Sequence, residues 1–216
     1  HDMRAPQAAI LALLDGKEPD DTTSRIEDHA RRTLALADNF VGLARIESSE
    51  FEGEDILLAE LVAEANDSLW PLSNARSIVC ELEDQSDGAF ISGEPSSLYR
   101  SFVNLIDNAI KYSPHGGKVE ITIRVTELDR QPHVSVSVAD QGSGMSDEML
   151  GQLFERFASD DREAHSSIKG AGLGLNFVAK VIERHGGHIR GENRRSGGAC
   201  FTVVLPLAPE IESQDD

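Results

Sequence analysis

The sequence predicts an α+β protein in two parts. A helical hairpin would form a dimeric four-helix bundle, and an α/β sandwich of helices on a mixed, mostly antiparallel sheet would follow it. Two observations lead to this prediction. Residues 1–47 repeat apolar side chains at helical spacing, and the chain from residue 56 onward mixes helical periodicity with period-two alternation. The composition is typical of globular proteins, with 39% hydrophobic and 27% charged residues among 216.

The net charge and the cysteines argue against binding to polyanions and against a cysteine metal site. A formal charge of −18, from 38 acidic and 20 basic residues, disfavours non-specific binding to nucleic acid or anionic membranes. Cys80 and Cys200 lack metal-ligand spacing, which favours reduced thiols in a cytosolic protein. No apolar run approaches the roughly 18 residues that span a bilayer. Because the chain opens on His1 rather than Met, we expect a fragment, and an upstream membrane anchor is compatible with it.

The N-terminal hairpin is predicted from two helical stretches separated by helix breakers. Residues 1–14 form the first helix, residues 15–21 (DGKEPDD) form a loop, and residues 22–47 form a long helix. Apolar residues of the second helix recur in steps of four and three, from Ile26 through Ala30 and Ala37 to Ala44, as in a bundle seam. Two helices cannot enclose a core alone, so we expect a homodimer.

The second domain is predicted at 56–207, between a polar linker at 48–55 and an acidic, disordered tail at 208–216. A helix covers about 58–74, and short strands follow near 78–82 and 89–92. The next helix begins near Pro95. Residues 118–128 and 133–140 alternate with period two, as half-buried antiparallel strands do. A helix at 173–187 ends on glycines, and a hairpin at 188–207 turns at RSGG.

The helix that contains SFVNLIDNAIKYS (101–113) presents two different faces. An apolar stripe faces the core and comprises Phe102, Leu105, Ile106 and Ala109. Asn104, Asn108 and Lys111 share a second face, although Asn is a mediocre helix former. Two stacked asparagines above a lysine therefore predict a binding surface.

Two glycine-containing segments add candidate site residues. In VADQGSGMS (138–146), a strand end delivers Asp140, and Gly142 and Gly144 allow a sharp turn. Asp140 can accept a hydrogen bond from an exocyclic amine such as that of adenine, or it can lie in a solvated Asp-x-Gly turn. In KGAGLGLNFVAKVI (169–182), three glycines precede or begin a helix, which favours a phosphate site over a hinge. Neither segment has Rossmann or P-loop spacing.

Four motifs in order, NLIDNAIKY, DQGSGM, LFERF and GAGLGL, resemble the ATP-binding domain of the family that contains histidine kinases, gyrase, Hsp90 and MutL. The resemblance covers about residues 50–207 and implies ATP and Mg²⁺ as cofactors. It implies that Asn108 coordinates Mg²⁺, that Lys111 reaches the phosphates and that Asp140 reads the adenine. Phe154 and Phe157 would anchor a lid at about 158–170. The other implied nucleotide-binding residues are Asn104, Tyr112, Gly142, Gly144, Gly170, Gly172, Leu173 and Gly174.

Within this family, Asn104 and the start of the chain indicate a kinase. Hydrolysing members have a water-activating glutamate where Asn104 stands, and an amide cannot take a proton at neutral pH. HDMRAP resembles the phosphoacceptor box of sensor histidine kinases, in which His1 would be the nucleophile and Asp2 would accept the proton from its ring. The resemblance implies a cytoplasmic core, belonging to a sensor that can be membrane-anchored, that autophosphorylates on His1. It would pass the phosphoryl group to an aspartate of a response regulator.

Two departures from the family pattern keep other functions open. Ala5 stands where relatives have Thr or Asn, which predicts weak phosphatase activity toward the regulator. Ser159 stands where many relatives have a lid arginine, and Arg162 or Lys169 could replace it. The alternatives are a degenerate, ATP-binding dimeric scaffold and an ATPase clamp of the Hsp90 or MutL kind.

Overall fold

A computed structural model of the chain describes residues 53–155 and 174–208, together with residues 10, 23, 26, 30, 33 and 37. Each of these six isolated residues is helical. Ala30 and Ala37 are buried, as the bundle seam predicts, whereas Ile26 is 42% exposed. The rest of the predicted hairpin, with its dimer contacts, lies outside the described residues.

The elements below are numbered along residues 53–155 and 174–208. They are β1 (Glu54–Leu57), α1 (Leu58–Ser68), α2 (Trp70–Ala75), β2 (Val79–Gln85), β3 (Phe90–Gly93), α3 (Pro95–Tyr112), β4 (Lys118–Leu128), β5 (Gln131–Ala139), α4 (Asp147–Gln152), α5 (Gly174–Arg184), β6 (His188–Asn193) and β7 (Ala199–Pro206). None of the helices in this part of the chain is long and apolar enough to cross a membrane.

The main sheet has five strands in the order β2-β4-β5-β7-β6. Strands β2 and β4 are parallel, and every other neighbouring pair is antiparallel. This arrangement confirms the predicted mixed, mostly antiparallel sheet. Strands β1 and β3 form a separate antiparallel pair.

Helices cover one face of the main sheet, and the alternation of the strands explains why. On β4, Val119, Ile121 and Ile123 are buried, while the residues between them are partly exposed. The apolar stripe predicted for α3 is also buried, since Phe102, Leu105 and Ile106 have no exposed surface. Helix α3 lies between α1 and α5 and contacts both. The Asn-bearing helix is therefore fixed at the centre of the helical layer.

Three boundaries differ from the sequence prediction. The helix expected at 58–74 is two helices that meet at Leu69, because Pro71 lies in the first turn of α2 and lacks an N–H group to continue α1. Glu54 and Asp55, assigned to the linker, begin β1, which is held by its pairing with β3. Ala208, assigned to the tail, donates its N–H to the carbonyl of Phe90 at 2.8 Å.

Helix α4 was not predicted. It begins at a capping serine, Ser146, whose hydroxyl accepts the N–H of Met149 at 3.1 Å. Asp147 and Glu148 in its first turn suit the positive end of the helix dipole. A Ser followed by two acidic residues was a usable sequence signal for this helix.

Candidate nucleotide-binding site

Helix α3 presents Asn104 toward the N-terminus of α5. A Cβ atom added to Gly174, the first residue of α5, would lie 3.4 Å from Oδ1 of Asn104. The side-chain amide nitrogen Nδ2 of Asn104 is buried and has no hydrogen-bond partner among the described residues. A buried donor without a partner is costly in a free protein, and it marks a place where a ligand can supply an acceptor.

One helical turn further along α3, Asn108 is half-buried and Lys111 is 43% exposed at its side chain. The ammonium of Lys111 forms an ion pair with the carboxylate of Asp107, four residues earlier. The sequence did not predict this pair. Part of the positive charge of Lys111 is therefore balanced by a neighbouring carboxylate.

Asp140 lies just past the end of β5 and is 4% exposed. Its Oδ1 accepts the N–H of Gly142 at 2.7 Å and the N–H of Ala199 at 3.1 Å. No donor from the described residues is bonded to Oδ2. Burial raises the pKa of the Asp140 carboxyl, although the two backbone N–H groups and Arg194 act in the opposite direction. The arrangement leaves one oxygen of a fixed carboxyl group for a further donor.

Gly142 joins the Asp140 segment to the C-terminal end of α3. A Cβ atom at Gly142 would lie only 2.6 Å from the carbonyl oxygen of Tyr112, so a larger residue cannot be accommodated without a backbone shift. Tyr112 itself is 42% exposed. Gly144 has a φ of +71°, a conformation that glycine adopts readily. Asp140, Gly142 and Tyr112 are thus brought together.

Several predicted site residues lie outside the described part of the chain. They are His1, Asp2, Gly170, Gly172 and Leu173, together with Ala5, Phe157, Ser159 and the predicted lid at about 158–170. Residues from different motifs do lie close together at two places: Asn104 lies beside Gly174, and Tyr112 lies beside Gly142. Phe154 is half-buried and packs against the core.

Sequence reasoning missed three polar side chains that hold the site. Asn176 of α5 donates through Nδ2 to the carbonyl of Phe154 at 2.7 Å. Arg76 donates to the carbonyls of Lys111 at 2.7 Å and Ser113 at 2.9 Å, which caps the end of α3. Arg194 donates to the carbonyl of Asp140 at 3.0 Å. Their partners are distant in sequence, so no local pattern could have revealed them.

A magnesium ion that depends on ATP for most of its ligands fits the residues present. Among the described residues, no group of three or more His, Cys, Asp and Glu side chains could hold a metal ion. The amide oxygen of Asn108 is a neutral, hard ligand on the same helix as the unpaired Asn104 amide. Such a donor set suits Mg²⁺ that takes its remaining ligands from phosphate oxygens and water.

The family comparison agrees with this geometry. Residues 93–209, more than half of the chain, match the family of histidine kinase-, DNA gyrase B- and HSP90-like ATPases. The matched span begins just before α3 and includes Asn104, Asp140 and Gly174.

Curated relatives align over nearly the whole chain. The sensor protein KdpD of Escherichia coli (strain K12) is 32% identical over 225 residues, which cover 98% of this chain and 24% of KdpD. The sensor protein SphS of Synechococcus elongatus is 30% identical over 227 residues, which cover 98% of this chain and 54% of SphS. The chain spans about a quarter of the length of several such relatives, between 24% and 28%.

Solved structures share the fold. The catalytic domain of histidine kinase ThkA has a TM-score of 0.62 and 28% identity, and the match covers 73% of this chain and 99% of that chain. Full-length ShkA in complex with AMPPNP has a TM-score of 0.73 over 96% of this chain and 44% of that one. At 22% identity, ShkA shows the likeness of fold alone. The chain belongs to the family of histidine kinase-, DNA gyrase B- and HSP90-like ATPases, and its curated relatives include the sensor protein KdpD and the sensor histidine kinase RppB of Synechocystis sp..

Proposed function

We propose that this chain is the catalytic core of a two-component sensor histidine kinase. It binds ATP with Mg²⁺ in the domain at 56–207 and transfers the γ-phosphoryl group to His1 in a dimeric hairpin at 1–47. It then donates that group to an aspartate of a response regulator. The single observation that carries this proposal is Asn104, whose side chain lies beside the first residue of α5 through Oδ1 while its buried amide nitrogen Nδ2 lacks a partner.

Asp140 would recognise the adenine base of ATP through a hydrogen bond. Its Oδ1 is occupied by two backbone N–H groups, so Oδ2 is available to accept the exocyclic amine of adenine. Tyr112 lies beside Gly142 at the same end of α3 and would contact the nucleoside. The carboxyl group is held before the base arrives, which lowers the ordering cost of binding.

The phosphates would lie between α3 and the N-terminus of α5. The N–H groups in the first turn of a helix have no partner within the helix, and together with the positive end of the α5 dipole they would favour an anion there. Asn108 would hold Mg²⁺, which supplies neutralisation of phosphate charge when bound, and Lys111 would add a positive charge. The Nδ2 group of Asn104 would then find its missing acceptor on a phosphate oxygen.

Asn104 also favours a kinase over a hydrolase. An amide cannot accept a proton from water, and the carboxylate of Asp107, one turn along α3, is paired with Lys111. Without a general base for water, the acceptor would be the neutral imidazole of His1. Its ring nitrogen forms the new P–N bond as the bond to the β–γ bridging oxygen breaks and ADP leaves. Asp2 would take the proton from the other ring nitrogen.

A dimeric scaffold that binds nucleotide without transferring phosphate is the second candidate. The Lys111–Asp107 ion pair favours it, because the pair reduces the positive charge available to the phosphates. An ATPase clamp remains the third candidate, disfavoured by Asn104.

The proposal is tested by following both products of Mg-ATP, labelled protein and free phosphate, for the unaltered chain and for Asn108→Ala. If the chain is a kinase, we expect labelled protein with little sustained release of free phosphate. We also expect the labelled protein to be absent in Asn108→Ala. Asn66→Ala is a matched control, since Asn66 lies on α1 and not on α3, the helix that carries Asn104 and Asn108. Sustained phosphate release without phosphoprotein would instead indicate the clamp, and tight ATP binding with neither product would indicate the scaffold.

A further inference from the structure

The hairpin of β6 and β7 holds the segment that follows Asp140. We call residues 140–145 the base loop. Asn193, the last residue of β6, makes two hydrogen bonds to a single residue of this loop. Its Oδ1 accepts the N–H of Met145 at 2.7 Å, and its Nδ2 donates to the carbonyl of Met145 at 2.8 Å. Asn193 therefore fixes both polar backbone groups of Met145 at the end of the base loop.

The same hairpin also holds the start of the base loop. Arg194 donates through Nη1 to the carbonyl of Asp140 at 3.0 Å and through Nη2 to Glu120 at 2.6 Å. The Arg194 guanidinium lowers the pKa of Glu120, so this ion pair forms with an ionised partner. Gly198 lies against the Asp140 carbonyl so closely that an added Cβ would be 2.1 Å from its oxygen. The two ends of the base loop are thus anchored independently.

The base loop needs such a support because of its own composition. It contains Gly142 and Gly144, and glycine has the largest backbone freedom to lose on ordering. Within the loop, the Gly142 N–H is bonded to Asp140, and the side chain of Met145 packs against the hydrophobic core. The backbone N–H and carbonyl of Met145 are both bonded to the side chain of Asn193. Asn193 itself is exposed, so it contributes little to the packed core. Its effect falls on the order of the loop rather than on the stability of the fold.

We propose that Asn193 is a positioning residue that sets the preference of this site for an adenine base. The inference rests on the proposed function, since it assumes that Asp140 reads the base. By clamping Met145, Asn193 keeps the base loop in the one arrangement in which Oδ2 of Asp140 meets an exocyclic amine. Without the clamp, ATP binding would have to order the loop, and that cost would reduce the gain from the amine contact.

Inosine triphosphate separates this role from a general structural one. Its base has a carbonyl at position 6 in place of the adenine amine, so that position cannot donate to Asp140, while its triphosphate is the same as that of ATP. A defect in base reading weakens ATP binding more than ITP binding. A defect in the overall fold weakens both nucleotides by the same factor.

The test is calorimetric titration of the full chain with ATP and with ITP, both with Mg²⁺. Asn193→Ala is compared with the unaltered protein and with Arg195→Ala, a neighbouring exposed residue of the same turn. We expect the Kd for ATP to rise about tenfold in Asn193→Ala, the effect of two exposed hydrogen bonds, and the Kd for ITP to rise less than about threefold. Arg195→Ala should leave the ATP-to-ITP ratio unchanged.

Hydrogen exchange without nucleotide gives a second, independent readout. The amide of Met145 should exchange faster in Asn193→Ala than in Arg195→Ala, with unchanged protection of β5. An unaltered ATP-to-ITP ratio, or equal losses for the two nucleotides, would overturn the inference while leaving the proposed function standing. Absence of ATP binding by the unaltered chain would overturn both, and the exchange of Met145 would still show whether the clamp orders the loop.

Discussion

The carboxyl group of Asp140 is almost fully buried, and its burial raises its pKa. Between the usual value of about 3.9 and the raised folded value, the folded chain binds more protons than the unfolded chain. Stability therefore decreases as pH rises through that window, and the ionised carboxylate is a cost at neutral pH. Under the proposed function, this cost accompanies recognition of the base, since the carboxylate is the group that would accept the adenine amine.

Replacing Asp140 with Asn should separate stability from binding. In Asp140→Asn, an amide oxygen can still accept the two backbone N–H groups, but the NH₂ group would face the adenine amine, donor against donor. We expect the thermal midpoint at pH 7 to stay equal or rise, and the Kd for ATP to rise at least about tenfold, the value of one lost charged hydrogen bond. Asp129→Asn, in the β4–β5 turn, makes the same chemical change away from the site. A fall in thermal midpoint with unchanged ATP affinity would contradict this assignment.

Among single residues, the sequence pointed to those whose signal lies in the neighbouring sequence. Asp140 was identified because it ends a strand and precedes two glycines, and Asn104 because it repeats one turn from Asn108. Asn193 and Arg194 were read only as part of the C-terminal hairpin, since their partners lie 48 and 54 residues away. Contacts of that range follow from the fold and have no local signature.

Helices α3 and α5 are joined at their far ends by His185. Its Nε2 accepts the N–H of Glu94 at 3.0 Å, which satisfies an amide at the start of α3, and its other ring nitrogen, Nδ1, contacts the carbonyl of Val181 at 2.7 Å. This pairing requires the neutral ring with its proton on Nδ1. Burial of the imidazole lowers its pKa, while Glu94 acts to raise it and Arg184 to lower it.

The His185 link predicts a loss of stability in mild acid. Because the folded pKa lies below the usual value of about 6.5, the contribution of His185 is complete above pH 6.5 and is lost as pH falls toward the folded pKa. Urea unfolding at pH 7.5 and pH 5 should therefore show a smaller difference for His185→Gln than for the unaltered chain. His115→Gln, an exposed histidine after α3, is the control. An identical pH dependence in the unaltered chain and His185→Gln would contradict this assignment.

The other end of α3 is held by Arg76, which donates to the carbonyls of Lys111 and Ser113. The Lys111 carbonyl belongs to the last turn of the helix and the Ser113 carbonyl to its C-cap residue, where carbonyls lack partners within the helix. Arg76→Ala should lower the free energy of unfolding by about 2 kcal/mol, the value of charge-assisted hydrogen bonds at a partly buried site. It should also weaken ATP binding, since Tyr112 lies between the two carbonyls.

Urea unfolding and ATP titration of Arg76→Ala, beside Arg124→Ala on the exposed side of β4, measure these two effects. Equal free energies of unfolding in the two variants would show that the cap is not needed.

Element prediction succeeded where periodicity was strong. The α3 stripe and the alternation of β4 and β5 were sufficient to place those elements and their buried faces. It failed at short acidic segments, because β1 has only two apolar residues, Ile56 and Leu57, to show a pattern. Strand β1 is defined by its partner β3, which local propensity cannot indicate.

Over the whole molecule, the sheet order joins segments that are remote in the chain. Strand β5 lies between β4 and β7, so Asp140 at its end is beside Ala199 at the start of β7. The antiparallel character of most of the sheet was predictable from alternation, but the pairing of β5 with β7 was not. That pairing is what brings the β6–β7 hairpin to the base loop.

The proposed phosphoryl transfer from ATP to His1 is tested most directly by chemistry, since His1 lies outside the described residues. The measurement is incubation with γ-labelled ATP and Mg²⁺, comparing the unaltered chain with His1→Gln and with His29→Gln as a matched control. A histidine kinase would yield protein-bound label that is acid-labile and base-stable, absent from His1→Gln and retained by His29→Gln. Label that persists in His1→Gln, or tight ATP binding without any label in the unaltered chain, would contradict it.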